Sequence, residues 1–85
     1  MILNLACIIE DLKKFFSEYL NIKFKYIDDN SLIIEELGAD SLTIAQLFVH
    51  IEEKYKIILD KEYILQSFLS VRDVANKILF EVNKQ

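Results

Sequence analysis

Residues 37–55, LGADSLTIAQLFVHIEEKY, decide the fold because they combine a turn signal with a helical period. From Ser41 onward, apolar side chains recur every three or four residues and form one stripe: Ile44, Leu47, Phe48, Ile51 and Tyr55. This spacing predicts an amphipathic helix from about Ser41 to Tyr55. Gly38 is the only glycine of the chain, and its place before the helix predicts a tight turn that other residues fit poorly.

A helix is also predicted on the N-terminal side of this stretch. Its apolar stripe has the same period: Leu5, Ile8, Ile9, Leu12, Phe16, Tyr19 and Leu20. Charged residues occupy the predicted solvent side: Glu10, Asp11, Lys13, Lys14 and Glu18. Asn4 stands where its side chain can cap the first turn. Cys7 falls outside the stripe, so we expect it to be partly exposed.

Residues 21–40 break the helical period and predict a long loop, with one short turn near residues 31–34. We expect four apolar side chains to pin this loop to the core: Phe24, Tyr26, Ile27 and Leu32. A loop longer than about 15 residues inside a small domain is usually functional.

The C-terminal part predicts two more helices. Asp60 reads as the cap of a short helix over residues 61–67. Ser70 and Asp73 have the spacing of a capping box, with Asp in place of the usual Glu or Gln. The helix they open carries this apolar stripe: Val71, Val74, Ala75, Ile78, Leu79 and Val82. We therefore predict an all-α four-helix bundle, with three long helices and one short helix, as a single domain over residues 1–85.

Composition excludes several functional classes. The 85-residue chain has a formal net charge of −4, which disfavours nucleic acid as a partner and favours proteins with basic patches. One cysteine cannot form an internal disulfide, and one cysteine with one histidine cannot build a usual zinc site. Residues 28–30 lack the downstream glycine and glutamate of an EF-hand loop. No apolar run is long enough to span a bilayer, so we expect a soluble cytoplasmic protein without a metal.

Ser41 lies where a helix begins, and this position suits a phosphate ester. Free backbone N–H groups and the positive end of the helix dipole are found there, and both favour a phosphate on the hydroxyl. From spacing alone, a helix cap formed by Asp40 or Ser41 is the simpler interpretation, because Asp and Ser are common caps.

A catalytic role for Ser41 is disfavoured by the position of the only histidine. A nucleophilic serine needs a base within hydrogen-bond reach. His50 follows nine residues later, about 13.5 Å along the same helix and about half a turn around it. Helix capping and solubility account for the carboxylates of Asp40 and Glu36 better than acid–base catalysis does. We therefore expect no catalytic residues, and His50 is predicted to face solvent.

The run from Leu37 to Leu42, LGADSL, resembles the phosphopantetheine attachment motif of acyl carrier proteins. The resemblance continues through the next helix and reaches both ends of the chain: Leu47, Ile51, Glu52, Glu53 and Tyr55, residues 70–74, and residues 10–14. It implies an acyl-carrier-like bundle in which Ser41 carries 4′-phosphopantetheine, with Gly38 and Asp40 as part of the attachment motif.

The resemblance also implies partners. A phosphopantetheinyl transferase using Mg²⁺ would add the arm from coenzyme A, and the arm's thiol would hold the cargo as a thioester. Acyl-transferring, condensing or adenylating enzymes would then act on that cargo. The protein itself would be a monomeric carrier rather than an enzyme, and an apolar slot between its helices could take an acyl chain.

Partner recognition is predicted on the helix after Ser41. Leu42 and Val49 fall on the same flank as Ser41, where they form a candidate hot spot or else contact the loop after the first helix. The helical period turns another group away from the core: Thr43, Gln46, His50, Glu53 and Lys54. The predicted partner surface consists of Leu42, Gln46, Val49, His50 and Glu53.

The weak acidity of this helix leaves the pathway open. Thr43 and Gln46 stand where carriers of fatty acid synthesis typically have acids, which favours a dedicated partner set. A carrier for fatty acid or polyketide-type biosynthesis is one hypothesis, and a freestanding peptidyl or aryl carrier of a specialised thiotemplate pathway is another. A third is a helical interaction module without any modification.

Overall fold

The computed structural model describes residues 3–64 and 69–84. Within them the chain is all-α, as predicted. Three long helices are present: α1 (Leu5–Leu20), α2 (Ser41–Tyr55) and α4 (Val71–Lys84). One turn of helix, α3 (Lys61–Ile64), precedes α4. The predicted short helix over residues 61–67 is seen as that one turn, and its remaining residues lie outside the described part of the chain.

The helix starts follow their capping signals. The Asn4 side chain accepts a hydrogen bond of 2.9 Å from the Cys7 backbone N–H at the start of α1. At α4 the predicted capping box is confirmed in both directions. The Ser70 N–H donates to Asp73 Oδ2 at 3.0 Å, and the Asp73 N–H donates to Ser70 Oγ at 3.1 Å. These contacts satisfy N–H groups that have no partner within the helix itself.

The core lies where α1 meets α2 and α4. Its largest fully buried side chains come from all three long helices and the connecting loop: Ile8, Leu12, Phe16, Ile33, Leu47, Ile51, Val71, Val74 and Ile78. Several further side chains of the predicted stripes are half-buried at its edge: Leu5, Leu20, Tyr55, Leu79 and Val82. The predicted stripes of α1, α2 and α4 therefore supply most of the core.

Three aromatic residues predicted to pack in the core are exposed instead. Tyr19 is 41% exposed because its ring stacks on the Phe15 ring, 5.6 Å away between centroids, outside the core. Phe24 and Tyr26 belong to an unpredicted 3-10 helix, Phe24–Tyr26, in which no residue is buried. Of the four side chains expected to pin the loop, only Ile27 is fully buried, while Leu32 is half-buried.

The long loop is held by backbone pairing with the segment before α4. Leu32 and Ser70 form an isolated antiparallel bridge, in which Ile33 N–H donates to the Leu69 carbonyl and Val71 N–H to the Ser31 carbonyl, both at 3.0 Å. A turn follows, closed by the Leu37 N–H on the Leu32 carbonyl at 2.9 Å. These contacts fix the path of the chain into α2.

Candidate functional site

Gly38 makes the turn that leads into α2. Its φ of +77° lies in the left-handed region, which L side chains rarely adopt. An added Cβ would meet nothing within 4 Å, so conformation rather than space favours glycine here. Ala39 follows, buried, and its N–H donates to the Ile33 carbonyl at 3.1 Å. The tight turn predicted from the lone glycine is confirmed.

Asp40, rather than Ser41, caps α2. Its Oδ1 accepts hydrogen bonds of 2.8 Å from both the backbone N–H and the hydroxyl of Thr43. The N–H bond, followed by the hydroxyl bond, lowers the pKa of the Asp40 carboxyl, which is therefore ionised at neutral pH. The prediction that Thr43 faces away from the core is wrong. Thr43 is only 2% exposed, and its hydroxyl turns back onto the Asp40 carboxylate that precedes the helix.

Ser41 is the first residue of α2, and its side chain is exposed. Since Asp40 provides the cap, the Ser41 hydroxyl is not needed for it. Within the described residues no hydrogen bond engages that hydroxyl. An exposed oxygen at the positive end of a 15-residue helix fits a covalently attached phosphate, which the helix dipole and the free N–H groups stabilise.

Four residues of the predicted partner surface lie on the outer side of α2. Leu42 is 61% and Val49 48% exposed, and the side chains of Gln46 and Glu53 are also exposed. Exposure of this size means that contact with the loop after α1 does not cover Leu42 or Val49. The four residues follow one another at helical spacing, so they form a continuous stripe that begins beside Ser41.

His50 does not face solvent freely, so that prediction is wrong. Its ring is half-buried against Phe15, with the ring centroids 5.2 Å apart, and its Nε2 lies 2.9 Å from Asp11 Oδ2. It therefore lies at the α1 edge of α2, bound to an acidic partner, and has no contact that would make it a base for Ser41. Its place in the partner surface stays a prediction, and in the structure it lies at the edge of the exposed residues of α2.

Asp11 is the centre of a polar cluster that joins α1 to α2, although the helical period placed it on the solvent side. Besides His50, it accepts hydrogen bonds from Lys54 Nζ at 2.6 Å and the Tyr55 hydroxyl at 2.7 Å. Burial opposes ionisation of Asp11, but hydrogen bonds from Lys54, His50 and Tyr55 outweigh it and lower the pKa of Asp11. Burial and the bond to Asp11 raise the pKa of the Tyr55 hydroxyl. The cluster thus holds one orientation of α2 on α1.

Sequence reasoning missed the roles of Asp11 and Thr43. The signal for Asp11 was partly present, because His50 and Lys54 stand four residues apart and present two nitrogen donors on one edge of α2. Nothing in the sequence indicated which residue of α1 would meet that edge. For Thr43, the signal was its position three residues after Asp40, where a hydroxyl can reach the side chain of the cap.

The chain matches known proteins over most of its length. A family model described as "Phosphopantetheine attachment site" matches residues 10–78. The acyl carrier protein of Wolinella succinogenes is 35% identical over 77 residues, which cover 91% of this chain and 97% of that protein. The acyl carrier protein of Campylobacter concisus is 36% identical over 72 residues, covering 84% and 91%. That of Campylobacter jejuni strain RM1221 is 37% identical over 70 residues, covering 81% and 88%.

Proposed function

We propose a function for this protein on the basis that the chain belongs to the acyl carrier protein family. Members of this family hold 4′-phosphopantetheine covalently and are carriers rather than enzymes. We infer that Ser41 is the attachment residue, and that Gly38 and Asp40 shape the turn and the cap that present it. The observation that carries this inference is the exposed Ser41 hydroxyl at the start of α2, left free because Asp40 makes the cap.

The arm supplies a terminal thiol that holds an acyl group as a thioester. The residues of this chain have a different task, which is presentation. Gly38 lets the chain turn sharply into α2, and the Asp40 cap holds the first turn. Ser41 therefore has a fixed position on a rigid helix, where a partner enzyme can bind around it.

The chain as a whole has the architecture that we expect of a carrier. We propose that residues 1–85 form one carrier domain, an acyl-carrier-like four-helix bundle whose short third helix begins at Lys61. The described turn at Lys61–Ile64 and the Asp60 side chain, which accepts a 3.0 Å hydrogen bond from the Glu62 N–H, support the third helix. None of the described helices is long and apolar enough to cross a membrane. A monomeric, cytoplasmic protein remains our prediction.

We favour acyl cargo of fatty acid or polyketide-type biosynthesis over an amino or aryl acid. All of the relatives named above are called acyl carrier proteins, which supports this choice. The peptidyl or aryl carrier stays the alternative, because α2 carries the uncharged Gln46 and the basic Lys54 on surfaces where a fatty acid carrier is typically acidic.

Loading of the modified protein distinguishes the two kinds of cargo. We expect a malonyl transferase of fatty acid synthesis to add a malonyl group to the arm-bearing protein, detected by intact mass. The matched control is the arm-free protein, which has no thiol on an arm and should gain nothing. Loading by amino-acid-adenylating or aryl-acid-adenylating enzymes, with no transfer of malonyl groups, would contradict the acyl assignment and favour the alternative.

The stripe of Leu42, Gln46, Val49 and Glu53 is our proposed partner surface. Leu42→Asp should raise the KM for arm transfer by a promiscuous phosphopantetheinyl transferase by about tenfold, because truncating or charging a hot-spot residue commonly costs 1–2 kcal/mol or more. Steady-state kinetics on folded variants would measure this.

Ile58→Asp is the matched control for that measurement. Ile58 is 85% exposed but lies beyond the far end of α2 from Ser41, and the substitution adds the same charge to the protein. We expect a KM close to that of the wild type. Equal effects of the two variants would mean that overall charge, rather than a surface beside Ser41, governs recognition.

A further inference from the structure

Thr43 is one of two buried polar residues in the described part of the chain, the other being Ser70. The Ser70 hydroxyl has an evident structural task, because it accepts a backbone N–H at the start of α4. The Thr43 hydroxyl has no such task. It donates to the Asp40 side chain, which already accepts the Thr43 backbone N–H, and so it satisfies no backbone group at the start of α2.

This arrangement differs from the usual capping box. There, the side chain three residues after the cap accepts the backbone N–H of the capping residue. Here, the hydroxyl bonds the carboxylate itself. The helix start would keep its cap without that hydroxyl, because the backbone N–H of residue 43 would still reach Asp40 Oδ1. A buried hydroxyl that the helix does not need calls for another role.

The effect of the hydroxyl is on the orientation of the carboxylate. Both hydrogen bonds end on Oδ1 at 2.8 Å, from two donors of one rigid residue, and neither uses Oδ2. A carboxylate held by a single donor can rotate about its χ2 torsion, which is broad for Asp. A second donor on the same oxygen restricts that rotation, and so it fixes where Oδ2 stands relative to the neighbouring Ser41.

We propose that Thr43 is a positioning residue for arm attachment: its buried hydroxyl fixes the Asp40 carboxylate, so that the transferase meets one free carboxylate oxygen at a constant place beside Ser41. The group that recognises this oxygen is a cation or an N–H donor of the transferase. This inference rests on the proposed function. It adds a residue that the attachment motif, Leu37–Leu42, does not contain. The lowered pKa of Asp40 agrees with it, because the oxygen then carries charge at neutral pH.

Arm transfer to variants of Thr43 tests the inference. Thr43→Val keeps the shape and the γ-methyl group of the side chain but replaces the hydroxyl by a second methyl group. We expect it to raise the KM for arm transfer by about tenfold, the order of a lost hydrogen bond to an ionised group, with little change in kcat. Thr43→Ser retains the hydroxyl and should restore the KM to within roughly twofold of the wild type. Thermal unfolding checks that each variant is folded at the assay temperature, and Thr43→Ala replaces the valine variant if it is not.

A double-mutant cycle separates positioning from a general structural effect. Asp40→Asn keeps a competent cap but replaces one carboxylate oxygen by an amide. If Thr43 acts through Asp40, Thr43→Val should add no further loss in the Asp40→Asn background. An equal loss in both backgrounds, or a wild-type KM for Thr43→Val, would overturn the inference while leaving the arm on Ser41. A wild-type protein that accepts no arm at all would instead overturn the proposed function, and this inference with it.

Discussion

Ser41→Ala is expected to abolish arm attachment completely. The Ser41 oxygen would lose its proton and form the new phosphoester bond, while the pyrophosphate bond of coenzyme A breaks and adenosine 3′,5′-bisphosphate leaves. Alanine has no atom to replace that oxygen. The fold should be unaffected, because the side chain is exposed, Asp40 keeps the cap, and alanine is a good helix former. Incubation with coenzyme A and a promiscuous phosphopantetheinyl transferase, followed by intact-mass measurement, would show the loss.

The matched control is a serine elsewhere in the chain. Ser31 lies in the loop before α2, where its Oγ accepts the Asp28 N–H. Ser31→Ala should gain the mass of one arm as the wild type does. A Ser41→Ala variant that still gained that mass would place the attachment on another residue and contradict the assignment.

Phe16→Ala is expected to have the largest effect on stability. Phe16 lies on the buried face of α1 and is 0% exposed. Removing a buried phenylalanine ring typically costs about 3–5 kcal/mol. Small domains have free energies of unfolding of only about 5–15 kcal/mol. We therefore expect a fall in Tm on the order of 20 °C, measured by circular dichroism.

Phe80→Ala makes the same chemical change on the surface of α4. The Phe80 ring is 58% exposed and has Lys77 and Lys84 over its faces, at 5.5 Å and 5.4 Å. Since most surface substitutions change stability by less than about 0.5 kcal/mol, its Tm should stay near that of the wild type. Similar decreases in Tm for Phe16→Ala and Phe80→Ala would mean that the described core is not what stabilises the fold.

The sequence was informative where a local signal settles the outcome. Asn4 and the pair Ser70 and Asp73 marked helix starts, because the bonds they make span only three residues. The turn at Gly38 was predictable for the same reason, since its backbone conformation is a local property. The apolar stripes identified most of the core, because a helix that buries one face must carry an apolar residue every three or four positions.

Prediction failed where the outcome depends on contacts between elements distant in the sequence. The helical period alone placed Asp11 and His50 in solvent, but α1 and α2 meet through these polar residues. Phe24 and Tyr26 have large aromatic side chains of the kind found in cores, yet both lie exposed in the short 3-10 helix. Thr43 was misplaced because a helical wheel takes no account of the capping residue before the helix, to which the Thr43 hydroxyl is bound.

The central claim is that Ser41 carries the arm, and peptide mapping of the wild-type protein tests it most directly. The protein would be purified from its native host, digested, and fragmented by tandem mass spectrometry. We predict one 4′-phosphopantetheine, with or without its acyl cargo, on the Ser41 oxygen of the peptide containing residues 37–42. An arm on any other residue, or an unmodified Ser41 in protein from cells in which other acyl carriers are modified, would contradict the account.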